Sequence, residues 1–235
     1  DLGQYQALAI GALVVVLGSG LLAWPLARLL GVEAKTFVPP MMFNNSGNMG
    51  LPLAVLAFGE AALPAAVVLF LVENLLHFSL GIYMLDHRAR LSSLWRMPVV
   101  LAALAGLGVS LAGIELWSPL LTAIRMLGEI SIPLLLFSLG VRLTDANFHT
   151  WRIGVAGAAL RPLIGMAIAW PSARLLGMDE RHGAMLLVFG ALPPAVLNYV
   201  FAERYRQEPE KVASIVMIGN VAALLFISLA LAVVL

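Results

Sequence analysis

Cysteine is missing from this 235-residue chain, so it forms neither a disulfide nor a thiolate metal site. Charge is scarce as well: Asp, Glu, Lys and Arg make up 11% of the residues, against about a quarter in a soluble domain. The formal net charge is +1 and the basic residues are scattered, with no arginine-rich run, so nucleic acid is not an expected partner. Catalytic signatures are absent too. There is no Gly-x-Ser-x-Gly, no His-Glu-x-x-His, no pair of intramembrane Asp residues and no nucleotide-binding loop. Gly106-Leu107-Gly108 reads as helix packing, not as a phosphate cradle. No charged leader with a cleavage site precedes the first apolar run. The chain opens on Asp1 and is expected to be part of a longer protein.

Apolar sequence fills the space that these absences leave. Hydrophobic residues make up 61% of the chain, and the mean hydropathy is +0.97. Eight apolar segments, near residues 5–30, 36–58, 62–85, 95–114, 118–141, 152–176, 181–203 and 210–235, approach the roughly 20 residues that a membrane helix needs. Short connections carry the breakers, among them Gly31, Gly59, Gly113 and Pro209. The alternating ten-residue segments of a membrane barrel are not visible. The expected fold is therefore an all-α, multi-pass bundle in a cell membrane, either plasma or bacterial inner. Lys and Arg gather in every second connection, at Arg28 and Lys35, at Arg88, Arg90 and Arg96, at Arg142 and Arg152, and at Arg204, Arg206 and Lys211. That bias, to which the sixth connection with Arg174 and Arg181 is the exception, is expected to place both ends of the chain on the non-cytoplasmic side.

One stretch violates the apolar pattern. Asn44-Asn45-Ser46-Gly47-Asn48-Met49-Gly50-Leu51-Pro52 sits inside the second segment. Within a bilayer such backbone is tolerated only where a broken helix lines a cavity. Residues 44–52 are thus read as the unwound middle of a membrane helix, with Asn45 and Ser46 able to cap the half-helix ends. An internal repeat supplies a second break. Residues 23–31, AWPLARLLG, recur at 169–177 as AWPSARLLG, an offset of 146. The copies are separated by an odd number of crossings, so the repeat is expected to be inverted, as in secondary transporters. The fourth and fifth segments find no partner within the chain, which predicts an intact architecture of five plus five spans. The same offset carries residues 44–52 onto 190–198, where Pro193-Pro194 must break the seventh segment near Leu192. In this register Asn48 falls on Pro194 and Pro52 on Asn198. If the breaks cross, half-helix amino termini and Asn amides converge on one point suited to a carboxylate.

The Asn-Ser-Gly-Asn-Met-Gly-Leu-Pro run, followed by Ala-Leu-Pro-Pro in a second broken segment, resembles the auxin efflux carrier family, which includes bacterial organic-acid permeases. Gly128-Glu129-Ile130-Ser131-Ile132-Pro133-Leu134 with Gly140 is similar to that family's seventh span. The resemblance implies an inverted repeat of five helices, related in fold to bile-acid sodium symporters. It also implies crossed helices in a transport domain, elevator-like movement against a scaffold, and anionic substrates bearing a carboxylate. Under it the chain represents spans three to ten of ten, without the first two. Residues 1–86 would be first-repeat transport helices, 95–142 a scaffold-like pair able to form a homodimer, and 151–235 second-repeat transport helices. The substrate-binding candidates are Asn44, Asn45, Asn48, Pro52, Pro193, Pro194 and Asn198. A nontransporting receptor or a channel on the same fold, or an intramembrane enzyme, are the alternatives.

Ionisable residues inside spans are functional candidates by default. Glu73 and His77 lie four apart on one helix face, suited to a proton relay, a support site or a packing bond. Two such ligands without a third do not make a metal site. Arg125 and Glu129, also four apart, read as a structural ion pair. Arg161 would either draw an anion toward the site or snorkel to the interface. Glu73, His77, Glu129 and Arg161 are thus candidates for coupling or support. No cofactor is expected beyond a coupling proton or sodium ion. Asn220 is expected to bridge neighbouring helices, and the five Trp residues to anchor span ends.

Overall fold

The structure is a computed structural model that describes residues 2–87, 98–144 and 150–234. Among the described residues the chain is helical and forms no strand. The helices are α1 (Leu2–Leu29), α2 (Ala34–Met42), α3 (Leu51–Phe58), α4 (Leu63–Leu76), α5 (Ile82–Leu85), α6 (Pro98–Leu111), α7 (Ser118–Thr144), α8 (Trp151–Leu175), α9 (Glu180–Ala191), α10 (Val196–Arg204) and α11 (Pro209–Val234). Among the described residues four continuous stretches are long and apolar enough to cross a membrane: Gly3–Leu29, Glu60–Leu85, Trp151–Leu175 and Pro209–Val234. At about 1.5 Å per residue each exceeds the roughly 30 Å hydrocarbon core. Their outer faces expose Leu21, Trp24, Leu163, Trp170 and Leu224, as expected of side chains that meet lipid. This is the pattern of a multi-pass membrane protein.

The segments expected at 36–58 and 181–203 are the two that break, into α2 with α3 and into α9 with α10. The segments at 95–114 and 118–141 correspond to α6 and α7. Residues 88–97, with the basic residues Arg88, Arg90 and Arg96 and the anchor Trp95, lie outside the described residues, as do Asp145 to Asn147 in the turn expected after α7.

The repeated nonapeptide adopts one local structure twice. Pro25 and Pro171 lie near the ends of α1 and α8, and Gly31 and Gly177 follow in the left-handed conformation, at φ 65° and 62°. A side chain is strained in that conformation, so glycine closes both helices. The capping bonds also match. Gly31 N–H donates to Arg28 and Val32 N–H to Ala27, while Gly177 N–H donates to Arg174 and Met178 N–H to Ala173. Every one of these pairs keeps the 146 offset.

The core gathers α1, α2, α4, α8, α9 and α11 around Leu8, Val15, Phe37, Met41, Phe43, Leu186 and Ile215. Glycine permits its closest approach, between α8 and α9. A Cβ on Gly190 would lie 2.6 Å from the Gly165 carbonyl oxygen, and a Cβ on Gly165 would overlap the Gly190 carbonyl. Small residues let membrane helices pack backbone to backbone in this way, and the contact sits one turn ahead of the break in the α9–α10 segment.

Candidate functional site: a crossing of two broken helices

Each break follows from local chemistry. Pro193 and Pro194 remove two donors, and a residue before proline is pushed out of the helical region. Leu192, the residue before Pro193, accordingly sits at ψ 144°, and Ala195, the N-cap residue beyond the pair, is extended as well at ψ 140°. In the other segment Phe43 is extended at φ −99°, ψ 113°. The two extended pieces lie side by side as an isolated antiparallel bridge between Asn44 and Pro194. Asn45 N–H donates to the Pro193 carbonyl at 2.8 Å, and Ala195 N–H to the Phe43 carbonyl at 3.0 Å. Each break therefore satisfies the backbone that the other leaves open.

This geometry corrects two expectations. The first break is shorter than residues 44–52: only Phe43 to Asn45 leave the helix, and winding resumes as a wide π-turn over Ser46–Gly50. In that turn Leu51 N–H reaches back to Ser46, and Pro52 then falls in the first turn of α3, where a missing donor costs little. The second correction concerns register. Asn45 and Ala195, and likewise Phe43 and Pro193, are 150 positions apart. Helix α9 begins at the 146 offset from α2 but runs about one turn longer, to Ala191 instead of Met42. One turn restores the same helix face. At the crossing Asn48 therefore corresponds to Asn198, not to Pro194.

The Asn side chains knit the crossing. Asn44 Nδ2 donates to the Phe189 carbonyl at 2.9 Å, and Asn198 Nδ2 donates to the carbonyls of Phe43 at 2.9 Å and Ala195 at 3.0 Å. Asn45 Nδ2 donates to Asn220 Oδ1 at 3.2 Å. Asn220 Nδ2 in turn donates to the Pro194 carbonyl at 3.1 Å, so Asn220 bridges helices as expected. Arg161, fully buried, donates from Nη1 to the Gly190 carbonyl at 2.9 Å. It does not snorkel. The carbonyl end of α9, with its partial negative charge, is thus held by one amide and one cation. Asn44 Oδ1, Asn198 Oδ1 and the Nε and Nη2 atoms of Arg161 are buried without a hydrogen-bond partner. A buried donor or acceptor left open costs free energy until a ligand or water meets it.

A second polar group lies beside the bridge. Ser46 donates its hydroxyl to Glu73 Oε2 at 2.8 Å. Glu73 Oε1 stands 3.5 Å from His77 Nδ1, and both Glu73 Oε1 and His77 Nε2 lack a hydrogen-bond partner. The His77 ring stacks on Phe43 at 4.2 Å between centroids and meets the edge of Phe201 at 5.2 Å. Two clefts flank this group. One, of about 310 Å³, is lined by Ser46, Gly50, Leu69, Phe189 and Leu192; the other, of about 240 Å³, by Lys35, Pro39, His77, Asn198 and Phe201.

The remaining candidates are placed differently. Asn48 and Pro52 are partly exposed, and the Asn48 amide makes no hydrogen bond among the described residues, which leaves it free for a ligand. Neither Asn45 nor Ala195 caps its half-helix through a side chain, contrary to the capping reading of Asn45. Ser46 binds Glu73 instead. Glu129 lies on the exposed surface of α7 with Arg125, and no ion pair joins them. Among the described residues no three His, Asp or Glu side chains converge on a metal position. Spacing did not foretell the Ser46–Glu73 bond, the Phe43 carbonyl or Lys35 at the cleft, because the partners come from different helices.

Outside the spans two carboxylates stabilise the connections. Asp179 caps α9: His182 N–H donates to its Oδ1 at 2.8 Å, and the His182 ring lies as close. That backbone bond first, with the ring adding to it against a modest burial effect, holds the Asp179 carboxyl below its ordinary value. Glu208 binds Lys211 and accepts from Thr36 Oγ1 at 2.6 Å, tying the α10–α11 turn to α2. Burial pushes the Glu208 carboxyl up, and these two bonds more than offset it, leaving it below the usual range.

Known proteins resemble this sequence. A model of the membrane transport protein family matches residues 88–231. An uncharacterized transporter of Methanocaldococcus jannaschii is 24% identical over 200 residues, which are 80% of this chain and 64% of that protein. The chain therefore spans less than two thirds of that relative's length. The matched family is one of transporters and not of enzymes. By this match the chain belongs to the membrane transport protein family, that of the auxin efflux carriers.

Proposed function

We propose that the protein is a secondary transporter of small organic anions and that a substrate carboxylate binds where the two broken helices cross. One observation carries this reading: the breaks hydrogen-bond to each other, and the half-helices leaving them, at Ser46 and at Val196, begin without side-chain caps. Their free N–H groups and partial positive charge suit a carboxylate. Asn48 contributes an open amide beside them. Asn44, Asn45, Pro193, Pro194 and Asn198 shape the crossing, and Arg161 lends a buried positive charge. Alternating access would follow from an elevator-like shift of the transport helices, 1–86 and 151–235, against the pair at 95–142. The matching caps at Gly31 and Gly177 support a five-plus-five inverted repeat, and the scaffold pair would provide a homodimer interface. The closed bridge between the two clefts favours a carrier over a channel.

The test is binding of benzoate, malonate and malate to the purified full-length protein, wild type against Asn48→Ala. Binding of at least one acid, weakened about tenfold or more by Asn48→Ala, is the expected result, equal to losing one charge-assisted hydrogen bond. If none binds, or if Asn48→Ala binds as wild type does, the site is misplaced. Saturable flux into proteoliposomes separates a carrier from a receptor, which would bind without flux.

A further inference from the structure

The hydrogen-bonded group beside the bridge has a property that carboxylate recognition does not use. Its members run from one cleft to the other along α4. Ser46 lines the cleft next to α3 and α9, His77 lines the cleft next to α2 and α10, and Glu73 stands between them in contact with Ser46 and 3.5 Å from His77. All three are buried, at 3%, 2% and 1% exposure for Ser46, Glu73 and His77. The two atoms without partners, Glu73 Oε1 and His77 Nε2, are those through which a proton would pass. A packing bond would leave neither open, since each open atom weakens the fold.

We propose that Ser46, Glu73 and His77 form a proton site that couples proton uptake to anion binding at the crossing. A proton from water in the His77-side cleft is taken up at Nε2. The Nδ1 proton moves to Glu73 Oε1, and His77 ends neutral with its proton on Nε2. One proton has been bound: the Nε2–H and Oε1–H bonds have formed, the Nδ1–H bond has broken, and Glu73 has become a neutral acid. The Ser46 hydroxyl donates to the other carboxyl oxygen, Oε2, and so holds the carboxyl beside the second cleft.

Charge balance links this site to the substrate. The fixed charges facing the group are Arg161 on α8, whose guanidinium feels the field of Glu73, and Lys35 on α2, whose Nζ donates to the Leu85 carbonyl at 3.3 Å. From α3 and the turn before it, and from α9, no charged side chain faces it; α1 carries Arg28 at its end, α7, packed against the π-turn, carries Arg125 and Glu129 on its exposed surface, and the charges of α10 and α11 lie at their solvent ends, at Glu203, Arg204, Glu210 and Lys211. With Glu73 ionised, Arg161 and Glu73 cancel, and a bound carboxylate would add an uncompensated buried charge. With Glu73 protonated, the positive charge of Arg161 is free to balance the anion. Buried charge is costly unless balanced, so anion and proton are expected to bind together. Asn48 lies two residues beyond Ser46 on the same π-turn, so the proton site and the candidate anion ligand share one rigid element.

This coupling rests on the carboxylate reading above, and two measurements on the full-length protein separate their failures. The first is the pH-difference infrared spectrum of wild type and Glu73→Gln. A protonated-carboxyl band present in wild type and missing from Glu73→Gln is expected; identical spectra would overturn the proton site. The second is calorimetric binding of benzoate and malonate in two buffers of different ionisation enthalpy. About one proton taken up per anion in wild type, giving about a tenfold change in affinity per pH unit, and none in Glu73→Gln, is expected. Binding of the anion with no proton in wild type would overturn the coupling. If no anion binds while the infrared band is present, the carboxylate reading and the coupling fail and the proton site stands. Should Glu73→Gln not accumulate, Glu73→Asp, which keeps a carboxyl but draws it back from Ser46 and His77, replaces it: a protonated-carboxyl band displaced from its wild-type position is expected, and an unmoved band would overturn the proton site.

Discussion

Replacing Arg161 offers the sharpest test of how the crossing is held together. The residue has no exposed surface, makes one hydrogen bond to the Gly190 carbonyl, and has Glu73 as the acid whose field reaches it. Arg161→Met keeps most of the volume but leaves Glu73 as an uncompensated charge at 2% exposure and the Gly190 carbonyl without its cation. Leaving a buried charge uncompensated costs about 3–5 kcal/mol. Glu73→Gln keeps an acceptor for Ser46 yet strands the guanidinium, and is expected to cost about 1–3 kcal/mol. The double variant removes both charges, and a neutral replacement of a buried pair is often close to neutral. Its cost should therefore fall below the sum of the single costs by about 2 kcal/mol or more. The assay is denaturation of the purified protein in mild detergent for all four members of the cycle. Single costs that add within about 0.5 kcal/mol, the behaviour of independent sites, would refute the claim that Arg161 balances Glu73.

Two further expectations concern the frame around the site. Gly165→Ala places a methyl group 2.8 Å from the Gly190 carbonyl carbon and onto its oxygen, backbone atoms that cannot turn aside. A loss of about 1–3 kcal/mol or more is expected in the same denaturation assay, whereas Gly183→Ala, whose new methyl would meet only Ala173 Cβ at 3.5 Å, should be neutral or slightly stabilising. Equal effects would mean that the α8–α9 contact is not tight. The Asp179 cap should weaken in acid. Its carboxyl is held below the ordinary 3.8 in the folded chain, so its contribution is complete above about that pH and is lost as the pH falls through the lower folded value. Asp179→Ala should cost about 0.5–1 kcal/mol at neutral pH, since the side chain is about half exposed, and the gap from wild type should close on acidification. A constant gap would show that the carboxylate charge is not what caps α9.

Much of the fold was written in the order of residues because it depends on local physics. Apolar runs of membrane length become helices since a bilayer offers the backbone no other partner, and the nonapeptide at 23–31 and 169–177 ends in the same glycine cap because each copy presents glycine where the left-handed turn is needed. Pro193-Pro194 marked its break for the same reason. The other break was marked but overestimated: a π-turn absorbs Gly47, Gly50 and Pro52, and whether a stretch unwinds or rewinds depends on what packs beside it. Register at the crossing was not legible, because the extra turn in α9 preserves its face and so leaves no trace in the apolar pattern. Arg125 and Glu129 had the spacing of an ion pair, yet the structure does not join them. Glu73 and His77 could be paired from their spacing on one helix, yet Ser46 joins them from another segment and Arg161 from a third. The sequence by itself determined the apolar helices, the breakers and the repeated nonapeptide with its glycine cap, each a matter of neighbouring residues. Only the tertiary structure decided that the two breaks meet, that each satisfies the other's backbone, and that four polar atoms from Asn44, Asn198 and Arg161 stay buried and open beside them, because hydrogen-bond satisfaction among distant segments is a property of the packed chain.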